Sequence, residues 1–67
     1  MKYDKAMYVG KKVRLYPHDT YKKTAKIVDV DDLGFHFVIL SAERGSDYYV
    51  GEHVFISHSM KLHLSFM

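Results

Sequence analysis

The sequence predicts an all-β fold: a small five-stranded barrel with little or no helix. Three observations predict it. Apolar and polar residues alternate at period two along much of the chain, where an amphipathic helix would repeat every 3.6 residues. Turn signals divide the pattern into short runs, at Pro17, at Asp31-Asp32-Leu33-Gly34 and between Glu43 and Asp47. The chain has 67 residues and no cysteine, so disulfides and thiolate zinc sites are excluded. A single domain of this size needs a well-packed core or association with another chain. Closing short twisted strands on themselves removes exposed edges, which favours a barrel.

Each element has its own reason. Residues 1–8 suit either an N-terminal helical turn or a ragged strand. Val13 and Leu15 alternate with Lys12, Arg14 and Tyr16, a short strand with one wet face, and Pro17 ends it because proline has no amide to donate. His18-Asp19-Thr20 reads as a turn. Thr24 to Val30 is β-branched and forms the second strand. Asp31 to Gly34 is the next turn, with Asp bonding its own backbone and Gly34 suited to positive φ. In the third strand, Phe35 to Ser41, the residues Phe35, Phe37 and Ile39 share one face and His36, Val38 and Leu40 the other. Apolar character on both faces implies cover on both. The outer pair, Val38 and Leu40, is therefore expected at an oligomer interface with a second copy of the chain. From Tyr48 onward the even positions Val50, Val54, Ile56, Met60, Leu62, Leu64 and Phe66 are apolar, with Phe55 the odd-numbered exception. Two strands are expected there, kinked at Ser57-His58-Ser59.

Charge is distributed unevenly. Residues 1–26 carry eight Lys or Arg against two Asp, a local charge of +6, while residues 27–67 carry two against six, a local charge of −4. The net +2 hides this polarity. Cations clustered on one strand face among aromatic residues point to an anionic partner, RNA or another nucleotide-bearing anion. The candidate nucleic-acid contacts are Lys11, Lys12, Arg14, Lys22 and Lys23, with Lys26 nearby. Tyr16 continues the Lys12–Arg14 face and is placed to stack on a base, worth about 1–3 kcal/mol. Asp29, Asp31 and Asp32 offer an acidic counterpart that a neighbouring copy could meet with its lysines.

Two stretches resemble the Sm-like family of small barrels, in particular the bacterial Sm-like RNA chaperones; the general arrangement is also similar to SH3-like barrels. Asp32-Leu33-Gly34-Phe35-His36-Phe37-Val38-Ile39 resembles the family's first motif, with His36 where asparagine is usual. Ile56-Ser57-His58-Ser59-Met60 resembles the second, an aromatic-lysine-histidine run between strands four and five, with Ile56 and Ser57 at the aromatic and lysine positions. The resemblance spans roughly residues 11–66. It implies a homo-oligomeric ring of about six or seven subunits, single-stranded RNA near its pore, and His36 and His58 as pore-side contacts.

Enzymatic chemistry has little to stand on. The serines lie in no Gly-x-Ser-x-Gly elbow, and no glycine-rich phosphate loop is present. His58 and His63 are five residues apart, which on an extended strand sends them to opposite faces, so no metal site and no cofactor are expected. The expected function is a non-enzymatic binding module. The alternatives are an SH3-like protein-interaction module, such as a small phage or other viral accessory protein docking on a protein partner, and a small-molecule binder with a site between subunits. The longest apolar run, Phe37 to Leu40, is too short for a membrane span, and Met1-Lys2-Tyr3-Asp4-Lys5 is not followed by a signal-peptide core, so a cytoplasmic location is the default expectation.

Overall fold

Asp4 caps the first element, accepting a hydrogen bond from the Ala6 amide at 2.9 Å, and Lys5–Tyr8 forms α1, a single helical turn. The computed structural model describes residues 3–67, apart from the side chains of residues 61 and 62. Of the two options for the N-terminal segment, the helical turn is the one seen; residues 1 and 2 lie outside the described residues, as do the side chains of Lys61 and Leu62.

Five strands follow: β1 Lys12–Leu15, β2 Lys23–Val30, β3 Gly34–Ala42, β4 His53–Ser57 and β5 Leu64–Phe66, with a 3₁₀ segment over His58–His63 between the last two. All neighbours are antiparallel, in the order β4-β3-β2-β1-β5. The all-β, five-stranded expectation is therefore met, with β1 to β3 within a residue or two of their expected bounds. Among the described residues no ladder joins β4 to β5; the 3₁₀ segment crosses between these two end strands, and the Tyr16 amide donates to the His63 carbonyl at 2.7 Å.

One face of the sheet is the core. Val13, Leu15, Ala25, Ile27, Val30, Phe35, Phe37, Ile39 and Ile56 are buried there, and Tyr3, Tyr8, Tyr16, Tyr48, Val54 and Leu64 pack around them. The period-two reading of β1 to β3 is thus correct in both directions: Phe35, Phe37 and Ile39 face inward, and His36, Val38 and Leu40 face outward.

The C-terminal third differs from expectation. Even-numbered apolar residues predicted continuous strand from Tyr48, but residues 48–52 form a turn and a bulge, and Val50 and Met60 are exposed. The kink expected at Ser57-His58-Ser59 is real and longer, because the chain must cross from one end of the sheet to the other. Gly34 also differs. Its φ is not positive; positive φ is found at Gly10, Gly45 and Gly51. Gly34 is required by space: a Cβ there would lie 2.8 Å from both Ser57 Cα and Phe55 Cζ, and would meet the Ile56 carbonyl oxygen.

Candidate nucleic-acid interface

The outward face begins with a bulge. Gly10, at φ +94°, donates to the Ile27 carbonyl at 2.8 Å, and the Ile27 amide donates to the Lys11 carbonyl at 2.9 Å. Two residues thus oppose one, the glycine-dependent β-bulge, which sets the register of everything after it. Lys12 then falls opposite Lys26, and Arg14 opposite Thr24. The same row continues across the sheet, since Lys26 pairs with Val38 and Val38 with His53. One line of Cα partners, Lys12–Lys26–Val38–His53, therefore crosses four strands on the outer face.

Lys12, Arg14 and Lys26 are exposed, and among the described residues no carboxylate lies within ion-pair distance of them. Like charges directly opposite one another across a ladder are unfavourable. The fold carries that cost at Lys12 and Lys26, and no carboxylate among the described residues offsets it.

The remaining expected contacts scatter. Lys11 is exposed within the bulge. Lys22 is exposed beyond the start of β2, where its amide donates to the Glu43 carboxylate at 2.6 Å. Lys23 is not a surface cation as expected: it is 2 % exposed, and its Nζ donates to Asp19 Oδ2 at 2.7 Å and to the Tyr21 carbonyl at 2.9 Å. The ammonium also lies 5.7 Å and 5.8 Å from the Tyr16 and Tyr48 ring centres, a cation–π arrangement. Tyr16 does not continue the Lys12–Arg14 face. The strand ends at Leu15, and Tyr16 takes φ +49°, which turns its ring onto Tyr48 at the edge of the core. Burial and a hydrogen bond involving Tyr16 push the Tyr48 hydroxyl up to about 12.

The two histidines expected as contacts meet on one residue. His36 Nε2 donates to Asp31 Oδ2 at 3.0 Å, and His58 Nε2 donates to the Asp31 carbonyl at 2.6 Å. Asp31 Oδ1 also accepts from the Leu33 and Gly34 amides, so the turn chemistry expected of Asp31 is present. The hydrogen bond from His36, then the two amides, hold the Asp31 carboxyl down at about 2. Their surroundings differ. His36 lies on the outer face beside Phe55, with ring centres 5.0 Å apart. His58 packs inward, stacked on Tyr3 at 3.7 Å and edge-on to Phe35, with Nδ1 buried and unpartnered among the described residues. His58 and His63 do not lie on a strand as assumed; both are in the 3₁₀ segment, and no cluster of three metal-ligating side chains occurs among the described residues. Of the acidic cluster, Asp29 pairs with Lys5 of its own chain at 2.9 Å.

Val38 and Leu40 sit on the same outer face as the cations, half-buried and 38 % exposed respectively. The expected oligomer contact thus shares one face with the Lys12, Arg14 and Lys26 part of the expected anion contact, and Phe55 lies on the same side. Phe55 and His53 were not among the expected contacts. The signal for Phe55 was its parity, the one apolar residue out of phase in its strand.

Fold and site define a small all-β module with a mixed cationic and apolar sheet face. No family model, no curated protein and no solved structure matches this chain.

Proposed function

We propose that this chain is a non-enzymatic module that binds nucleic acid through the outer face of its sheet, with phosphates on Lys12, Arg14 and Lys26. The observation that carries the reading is the Lys12–Lys26 cross-strand pair. It is a local cost to folding, and a polyanion turns it into a gain by releasing counter-ions. The position of His58 between β4 and β5 supports the Sm-like resemblance. Self-association of copies belongs to the same reading, and the end strands β4 and β5 offer it a route that leaves the outer face open.

Binding of a labelled RNA, measured by anisotropy over a salt series, tests this. Three phosphate contacts predict a log–log slope of about −2 on a single strand, and Arg14→Ala should reduce that slope by about 0.7. Affinity that ignores both salt and Arg14→Ala overturns the reading and favours protein docking on the apolar part of the face.

A further inference from the structure

We infer that the outer face is built for an unpaired strand, with Phe55 as the platform on which one base stacks. The inference rests on the nucleic-acid reading above and adds the residue on which a base stacks.

Phe55 is 49 % exposed, unusual for a phenylalanine within a strand. It is nevertheless held in place. Its Cα partner is His36, whose ring lies 5.0 Å away and is itself fixed by Asp31. Its far edge lies over Gly34, where a Cβ would come within 2.8 Å of Phe55 Cζ. The missing side chain at Gly34 and the anchored imidazole lay the phenyl ring down on β3. A ring already ordered loses little freedom when a base stacks on it.

The surroundings specify a single strand. Cations occupy β1 and β2, Val38 lies between, and the aromatic ring is on β4. Two inter-strand steps of about 4.8 Å put β4 roughly 10 Å from β2. That places a charged backbone on one side and an unstacked base on the other. A duplex shows phosphates to Lys12, Lys26 and Arg14 equally well, but its bases are stacked on one another and present no face to Phe55.

The test compares an oligouridine of about twelve nucleotides with an RNA hairpin duplex of similar charge. Wild type, Phe55→Leu, Phe55→Trp and Arg14→Ala are measured by anisotropy, with thermal melts to confirm folding. Phe55→Leu should weaken oligouridine binding by about tenfold and leave the hairpin unchanged, while Arg14→Ala weakens both. The chain contains no tryptophan, so Phe55→Trp supplies a lone indole whose emission should be quenched by oligouridine and not by the hairpin. That variant decides the matter even if Phe55→Leu does not fold. If Arg14→Ala weakens binding while Phe55→Leu does not and the indole is not quenched, the stacking platform is wrong and the nucleic-acid reading stands. If neither RNA binds, both fall.

Discussion

Lys23 holds an ammonium group almost wholly out of water, and its neighbours explain how. Asp19 supplies the counter-charge, the Tyr21 carbonyl a second acceptor, and the Tyr16 and Tyr48 rings their π faces. Removing one partner of such a pair costs more than replacing the charge by an apolar group of similar size, because it strands a buried charge. Asp19→Asn should therefore destabilise the protein in urea unfolding, and Lys23→Met should do so by less. The reverse order would mean that the Lys23 charge is not buried. Asp31 gives a pH signature. Its folded carboxyl lies at about 2, below its ordinary 3.8, so its charge stabilises the fold fully above 3.8 and ceases to do so as pH falls toward about 2. The stability gap between wild type and Asp31→Asn, followed by acid titration of circular dichroism, should close over that window. In the sequence Lys23 and Tyr16 looked like their neighbours. Nothing local distinguishes a lysine that points to water from one that points between two tyrosines; the contacts of Lys23 with Asp19, Tyr21, Tyr16 and Tyr48 make that choice.

The same bulge begins two of the strands. Gly10 and Gly51 both have φ near +90°, both donate to the carbonyl of a facing residue (Ile27 and Ile39), and each facing amide donates back one residue further on, to Lys11 and Glu52. Each extra residue resets which side chains face outward in β1 and β4. A Cβ at either glycine meets nothing within 4 Å, so a substitution there costs only backbone strain. Gly10→Ala and Gly51→Ala should each cost about 1–2 kcal/mol, and asparagine, which tolerates positive φ, should cost less than alanine. Gly34 reverses that order. Its constraint is the backbone of β4, so Gly34→Ala should cost about 3 kcal/mol and Gly34→Asn more. Thermal melts of the six variants distinguish a conformational glycine from a steric one. The elements that alternation marked clearly, β1 to β3, were legible. The bulge before β4 and the 3₁₀ segment were not, because an even-numbered apolar residue reads the same in a strand as in a turn.

Across the whole molecule, cations of the early chain come to lie on one side of the sheet's outer face, Lys12 and Arg14 on β1 and Lys26 on β2, with Phe55 on β4. On the reading proposed above, the outer face is given to a ligand and association to the end strands β4 and β5. Light scattering should then give a multiple of the 7.9 kDa chain mass, unchanged in Leu40→Lys. Dissociation by Leu40→Lys would instead place the contact on the outer face and displace the nucleic acid from it. The identity of β1 to β3, the inward set Phe35, Phe37 and Ile39, and the cationic character of the early chain were determined by the sequence alone. They follow from a two-residue period and a count of charges, which need no knowledge of neighbours. Which cations stay in water, that Lys12 faces Lys26, that His36 and His58 share Asp31, and that Phe55 lies on Gly34 were decided only by tertiary structure. Each depends on register between strands distant in the chain, and a single bulge residue is enough to change it.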